Sequence, residues 1–215
     1  SKFTNTKVIK ALKDGMMFSL PFLMIGSLFL LIANLPIKSL NTLVAECGLA
    51  DICSQVYSST FSLMALFTVV GITYSYLKND KISTAVNGAL TGLAAFVLLT
   101  PSSKVLENGE AVTGVISKDW TAGQGMICAI LIGFLVGYIY SLCIRKDIRV
   151  KMPEGVPPGV ADSFSSLLPT GIITIVCAII YAVCHFVFKT TFAELIYSAI
   201  QIPLQGVTDS FAGVV

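Results

Sequence analysis

Charged residues are scarce in this 215-residue chain. Asp, Glu, Lys and Arg together make up 12% of it, whereas hydrophobic residues make up 55% and the mean hydropathy is +0.84. Ordinary soluble domains carry about 25% charged residues. A soluble protein with so few charged side chains could not bury this much apolar surface and still keep a hydrated exterior. The composition therefore excludes a soluble domain and predicts an integral membrane protein.

The chain also lacks metal ligands, catalytic motifs and a strong charge of one sign. It has one histidine, and none of its six cysteines forms a CxxC pair, which argues against a zinc site. It contains no nucleophile constellation and no phosphate-binding loop. The formal net charge is only +2, so nothing points to nucleic acid. We expect no metal, no cofactor, no nucleic-acid partner and no catalytic residue in this chain.

Long apolar runs are what the sequence has instead. A helix that crosses a hydrocarbon core of roughly 30 Å needs about 20 apolar residues. The first run is too long for a cleavable signal peptide and lacks a small-residue cleavage site, so it is interpreted as a span. The sequence predicts an all-α membrane protein with about five transmembrane helices, at residues 16–35, 61–77, 82–99, 123–144 and 167–188.

Three kinds of segment are expected outside these spans. Residues 1–14 alternate lysines with apolar residues, as in a short surface helix whose lysines meet lipid headgroups. Segments 40–56 and 191–202 are predicted to be interfacial amphipathic helices, the second opened by a capping box at Thr191 and Glu194. Asn108-Gly109 lies between two β-prone runs and predicts a short extracytoplasmic β-hairpin. Residues 205–215 are typical of the entry to a further span.

The lysines and arginines predict the orientation. With five spans, the clusters at 2–13, 78–81 and 145–151 fall on one side, and the loops opposite mix lysines with carboxylates. By the positive-inside rule the first side is cytoplasmic. We therefore expect a cytoplasmic amino terminus.

Two spans carry glycines four residues apart, Gly88 with Gly92 and Gly133 with Gly137. This spacing lets membrane helices approach closely and suggests that the two spans pack together. Glycine is also common in membrane helices without specific pairing. The third span contains Asn87, which needs a polar partner inside the bundle.

The least generic stretch of the chain is Met152–Val160. Three prolines, two glycines and one carboxylate lie within eight residues of it, which predicts a stiff, shaped loop. Either this loop functions in binding or gating, or it only holds two helices in place. Glu154 could accept sugar hydroxyls or pair with Arg145, Arg149 or Lys151. The candidate loop residues are Pro153, Glu154, Gly155, Val156, Pro157 and Pro158.

His185 is the other ionisable candidate. It lies near the predicted outer end of the fifth span, between Cys184 and Phe186. An ionisable group within a membrane span is a functional candidate by default. However, no carboxylate lies within one helical turn upstream, so we interpret His185 as a histidine satisfied at the membrane interface.

Several of these motifs together resemble a known family. The run Lys151–Val160, followed by Ser163-Phe164 and Leu168-Pro169, is similar to a signature of the lactose/cellobiose/chitobiose family of phosphotransferase-system sugar permeases, the enzyme IIC components. The opening and the end of the chain resemble that family too, at Ala11–Gly15, Pro21, Ile25–Ser27, Ile32–Pro36, Pro203–Gly206 and Asp209-Ser210. Asp162 departs from the pattern, in which asparagine is more usual.

The resemblance implies a dimeric permease of the bacterial cell membrane. Such a permease imports a β-linked disaccharide such as cellobiose, chitobiose or lactose, while a soluble IIB component takes part in its phosphorylation. The family's sugar site and active-site histidine and glutamate lie mainly in its second half, so His185 inherits no role. Residues 1–215 resemble the amino-terminal, dimer-forming half, which would not be catalytic alone.

Two other functions stay open. One is a membrane scaffold or interaction protein that keeps only the dimerisation surface. The other is a small secondary transporter, which is disfavoured because five spans and an unfinished sixth contain no inverted repeat.

Overall fold

The computed structural model describes residues 7–34, 47–105, 110–153 and 155–201, and these are mostly helical. A 3-10 turn at Phe61–Leu63 connects the helices that end at Thr60 and begin at Met64. The π-helical turns at Cys184–Phe188 and Tyr197–Gln201 extend the helices that end at Val183 and Ile196. The helices are α1 (Lys7–Met17), α2 (Leu20–Ala33), α3 (Leu49–Thr60), α4 (Met64–Asn79), α5 (Ala85–Leu99), α6 (Lys118–Thr121), α7 (Met126–Arg145), α8 (Pro158–Val183) and α9 (Phe192–Ile196).

Four helical stretches of the described chain are long and apolar enough to cross a membrane: Lys7–Ala33, Leu49–Asn79, Met126–Arg145 and Pro158–Phe188. The third predicted span is the shorter apolar helix α5. With 15 residues and a rise of about 1.5 Å per residue, it is about 22 Å long, less than a typical hydrocarbon core. The helical membrane character is confirmed, whereas the count of five spans stays a prediction.

Helix α4 is the centre of the bundle, because α1, α5 and α7 all pack against it. Its side chains Val69, Ile72 and Leu77 are fully buried, and Ile132 and Val136 of α7 are buried beside them. A membrane helix surrounded by other helices has little need of a polar face. This explains why α4 shows no clear separation of apolar and polar residues.

The amino-terminal helix α1 packs antiparallel along α4, and its Lys10 and Lys13 are exposed. The predicted contact of these lysines with lipid headgroups stays a prediction. The two backbones touch at Gly15 and Gly71. A Cβ on Gly15 would lie 2.5 Å from the Ile72 Cα, and one on Gly71 would lie 2.3 Å from the Gly15 carbonyl oxygen. Only glycine allows this approach. A turn at residues 18–19, just before Pro21, separates α1 from α2.

Helix α3 also differs from its prediction. Residues 40–46 lie outside the described residues, but residues 49–60 form a helix that continues through the 3-10 turn into α4. It packs against α2 instead of standing apart. Gly26 makes this possible, because a Cβ there would lie 2.6 Å from the Thr60 Oγ1.

Helix α9 begins with the predicted capping box: the Glu194 backbone N–H donates to the Thr191 hydroxyl, and the Glu194 carboxylate accepts from the Thr191 backbone N–H. The interfacial position of this helix stays a prediction. Ala193 is the buried residue, whereas Ile200 is exposed. The following turn brings Tyr197 against Trp120, with ring centroids 5.7 Å apart. The π-helical turn changes which residues share a face.

A two-stranded antiparallel sheet precedes α6. Strand β1 (Ser103–Val105) pairs with β2 (Ala111–Thr113), and Lys104 is opposite Val112. The Asn108-Gly109 turn lies outside the described residues, as do residues 205–215. All six cysteines are free.

Candidate functional site

The proline-rich loop is shorter than the sequence predicts. Gly155 has a φ of +102°, a conformation that favours glycine. Pro157 is extended, with a ψ of 139°, and Pro158 already begins α8. Residues 158–160 are therefore helical, not part of the loop. A proline suits the first helical turn because its φ is preset and its missing N–H would have no intrahelical partner.

Glu154, the loop's carboxylate, lies outside the described residues. The three cations considered as its partners each contact another carboxylate. Arg149 donates to the Asp147 Oδ1 at 2.8 Å, and Lys151 also pairs with Asp147. Arg145 donates to Asp80 instead. Both roles considered for Glu154, accepting sugar hydroxyls and pairing with a cation, stay predictions.

The Asp80 carboxylate is the centre of an ionic cluster at this end of the bundle. Its side chain is only 5% exposed. It accepts hydrogen bonds from the Lys7 ammonium, the Ser141 hydroxyl and the Arg145 guanidinium, the last at 2.8 Å. These donors come from α1 and α7, while Asp80 directly follows α4. One carboxylate thus ties three helices together.

The protonation state of Asp80 follows from these contacts. Burial alone would raise its pKa, but the hydrogen bonds from Lys7 and Ser141 and the charges of Lys7 and Arg145 outweigh burial and lower its pKa below the usual 3.8. Asp80 therefore stays ionised at neutral pH. Sequence reasoning treated it only as part of a charged turn. The available signal was a lone carboxylate within a lysine-rich turn at a membrane boundary.

A polar seam between α5 and α8 is the second feature near the loop. The Asn87 Nδ2 donates to the Ser166 Oγ at 2.8 Å and to the Asp162 carbonyl oxygen at 3.2 Å. One turn further along, the hydroxyls of Thr91 and Thr170 are 2.9 Å apart. The predicted need of Asn87 for a partner inside the bundle is confirmed.

The seam borders a groove of about 300 Å³ that is lined by Asn87, Leu90, Thr91, Ala94, Ser163, Ser166 and Thr170. Hydroxyl and amide groups of this kind can exchange hydrogen bonds with a sugar. Among the described residues, those that line this groove are all uncharged. Among the described residues, no three His, Cys, Asp or Glu side chains come together as metal ligands do. The site is suited to holding helices or a neutral polar molecule.

The four spaced glycines all face α4. A Cβ on Gly88 would lie 2.1 Å from the Leu77 Cδ1, and one on Gly92 would lie 2.6 Å from the Thr73 Oγ1. On α7, added Cβ atoms would lie 3.1 Å from Ile72 at Gly133 and 2.9 Å from Tyr76 at Gly137. The two glycine pairs therefore bring α5 and α7 against the central helix. The two helices also contact each other, and a Cβ on Gly88 would lie 3.4 Å from the Tyr140 ring of α7.

His185 lies in the π-helical turn after α8, and its side chain is exposed. Its ring stacks on Tyr181, with centroids 5.9 Å apart and planes 8° apart, and it meets the edge of Phe186 at 5.4 Å. It lies apart from both the ionic cluster and the polar seam. The interpretation as an interface histidine stays a prediction.

Comparison with known proteins identifies relatives of the chain. The family model described as "Phosphotransferase system, EIIC" matches residues 13–213. The oligo-beta-mannoside-specific EIIC component of Bacillus subtilis is 36% identical over 208 residues, which cover 95% of this chain and 46% of the relative. The cellobiose-specific EIIC component of Geobacillus stearothermophilus is 30% identical over 223 residues, which cover 100% of this chain and 49% of the relative.

A solved structure points to the same family. The crystal structure of the transporter ChbC, the IIC component from the N,N'-diacetylchitobiose-specific phosphotransferase system, matches with a TM-score of 0.87 and 30% identity. The match covers 94% of this chain and 49% of ChbC. The chain thus spans about half the length of the relatives it matches. On the family match and this shared fold, the chain belongs to the phosphotransferase system EIIC family.

Proposed function

We propose that this chain is the amino-terminal, dimer-forming half of a sugar permease of the phosphotransferase system, taking up a β-linked disaccharide such as cellobiose, chitobiose or lactose. The observation that carries the proposal is the match to ChbC, which covers 94% of this chain at 30% identity. Relatives named for oligo-beta-mannosides and cellobiose support the substrate class. The activity needs the remaining half and a soluble IIB component.

The proposed role of the loop at Pro153, Glu154, Gly155, Val156 and Pro157, together with Pro158 at the start of α8, is to contact or gate the sugar at the cytoplasmic side. Its position supports this role, because the loop leads directly into α8 and the neutral polar seam begins within the first turns of that helix. In the proposed orientation, the amino terminus and the Asp80 cluster are cytoplasmic in the bacterial membrane.

This chain has an exposed apolar surface that the second half could cover. Along α8, Ile175 is 62% exposed and Ile179 is 58% exposed, and Phe186 beyond it is 79% exposed. An apolar helix face in a membrane can meet lipid, another subunit or the missing half. A homodimer would use some of this unburied apolar area. The four glycines at 88, 92, 133 and 137 are not part of it, since they pack against α4.

A membrane scaffold that transports nothing is the alternative function. It is favoured by the pairing of the seam's polar groups with one another, which leaves them satisfied without a ligand. The two functions differ in what the chain does once the remaining half is supplied.

The test is sugar uptake by two separately expressed halves. The chain is co-expressed with the half of the Geobacillus relative that it does not cover, in bacteria that retain the soluble phosphotransferase proteins but lack β-glucoside permeases. Uptake of labelled cellobiose, chitobiose and lactose is measured. The proposal predicts uptake of at least one sugar only when both halves are present. Two halves that co-purify but import none of the three would favour the scaffold.

A further inference from the structure

A polar pocket and an apolar groove lie side by side on the α1–α4 face, and neither has a part in the proposed transport function. The pocket, of about 420 Å³, is lined by Lys10, Asp14, Phe18, Ser75, Lys78 and Asn79. The groove, of about 300 Å³, is lined by Phe18, Phe22, Phe67, Val70, Gly71 and Tyr74. Phe18 borders both, so the two concavities are adjacent.

The polar end combines two cations with one carboxylate. Lys10 and Lys78 bring two positive charges and Asp14 brings one negative charge, so the lining has a net charge of +1. The Nδ2 of Asn79 is shielded from solvent and has no hydrogen-bond partner among the described residues. An unpaired buried donor costs free energy, and a ligand oxygen would remove that cost. This end therefore fits an anionic group that also carries hydroxyls.

The apolar end is shaped by aromatic rings. Phe22 stacks on Phe67 with centroids 4.3 Å apart, and Phe18 meets Tyr74 edge-on at 5.7 Å. Phe18 and Phe22 remain 49% and 41% exposed, so the groove opens outward. At the junction of the two ends, the Lys78 Nζ lies 5.4 Å from the centroid of the Tyr74 ring.

We propose that this surface binds one anionic phospholipid, with its phosphate at Lys10, Lys78 and Asn79 and an acyl chain along the aromatic groove. The charge of the polar end and its position beside an apolar groove at the end of a membrane helix match the two parts of such a lipid. Asp14 can accept hydrogen bonds from headgroup hydroxyls, which favours a glycerol headgroup. The proposal does not depend on sugar transport.

The test measures retention of phosphatidylglycerol by native mass spectrometry after reconstitution in mixed phosphatidylglycerol and phosphatidylcholine bilayers. The double variant Lys10→Gln/Lys78→Gln should retain about thirtyfold less phosphatidylglycerol, because each lysine near a lipid surface contributes about 1 kcal/mol and every 1.4 kcal/mol is a factor of ten. The matched control is Lys81→Gln/Lys146→Gln, which removes the same charge at the same end of the bundle from exposed residues outside the pocket. The control should change retention less than twofold.

Equal losses in the two double variants would overturn the proposal, because they would indicate diffuse attraction of lipid to charge. If the first variant does not fold, Asn79→Asp serves instead, since it keeps the side-chain shape and places a negative charge against the phosphate. The Asn79→Asp variant should also retain less phosphatidylglycerol than the wild type, and unchanged retention would contradict the site.

Two further arms identify the occupant. Added phosphatidylglycerol should raise the thermal stability of the purified protein, whereas glycerol phosphate, which has no acyl chain, should not. Equal stabilisation by both would indicate a free phosphate site and overturn the lipid assignment. The variant Val70→Cys should not crosslink between two copies. Efficient crosslinking there would show that a second copy covers the groove.

Discussion

At the scale of single residues, Asp80 is the contact on which the bundle's charged end depends. Its carboxylate joins Lys7, Ser141 and Arg145 while only 5% of its side chain is exposed. A local view of the sequence places Asp80 between Lys78 and Lys81 and suggests local pairing. Its actual partners lie 73, 61 and 65 residues away. No single-sequence pattern carries that information, so the cluster became visible only in the folded chain.

Replacing this carboxylate should destabilise the protein. Asp80→Asn is expected to lower the free energy of unfolding by about 2 kcal/mol, less than for a fully buried pair because Arg145 is mostly exposed. Unfolding in detergent micelles measures it. The matched control is Asp147→Asn, whose carboxylate binds exposed cations outside the bundle and should change stability little. Equal effects of the two substitutions would contradict the central role of Asp80.

The same contact predicts a pH dependence. The pKa of Asp80 is lower in the folded protein than its usual 3.8, so its stabilising contribution is present above about pH 4. The contribution is lost as the pH falls through the folded pKa. The stability difference between wild type and Asp80→Asn should therefore be full at pH 6 and shrink below pH 4. A difference that grows on acidification would be opposite in sign to this account.

At the scale of helices, the sequence predicts which helices exist and where they lie along the chain better than it predicts which helices pack together. The fourth span is predicted at residues 123–144, and the corresponding helix α7 is Met126–Arg145, so both ends agree within three residues. The helix of the fifth predicted span, α8, begins nine residues before the predicted residue 167, because Pro158 starts a helix instead of blocking it. Apolar periodicity marks a buried face but does not say which helix covers it. The glycines of α5 and α7 were thus recognised as packing residues without their shared partner α4.

The glycine contacts give a prediction for helix packing. Gly133→Leu should lower the free energy of unfolding by about 1–3 kcal/mol, because a Cβ there already lies 3.1 Å from Ile72 and a larger side chain must displace α4. The matched control is Gly171→Leu on α8, where no atom outside the adjacent backbone of that helix lies within 4 Å of the added Cβ. Unfolding curves in the same detergent compare them. Equal destabilisation by both would mean that space beside α4 is not the limiting factor.

At the scale of the whole molecule, we predict a homodimer whose contact is formed by surfaces other than the four glycines. Those glycines are occupied inside one protomer, so Gly133→Leu should reduce thermal stability without abolishing the dimer. Crosslinking at a low protein-to-lipid ratio measures the oligomeric state. A chain that stays monomeric at every ratio would refute the dimer. A variant that becomes monomeric while keeping its stability would place the glycines at the interface.

The family could be inferred from the sequence because its signature is local, a run of prolines and glycines that needs no tertiary knowledge. The polar seam was predictable only in part. An asparagine in a span demands a partner, but Ser166 lies 79 residues from Asn87 and only the fold brings them together. Glu154 stays a prediction, since its position lies outside the described residues.

The most direct test of the half-permease account is formation of sugar phosphate by membrane vesicles supplied with phosphoenolpyruvate, the soluble phosphotransferase proteins and labelled cellobiose or chitobiose. Vesicles that contain this chain alone should form none, because the described residues hold no charged catalytic set beside the polar seam. Vesicles that also contain the missing half should form sugar phosphate. Sugar phosphate produced by this chain alone would contradict the account.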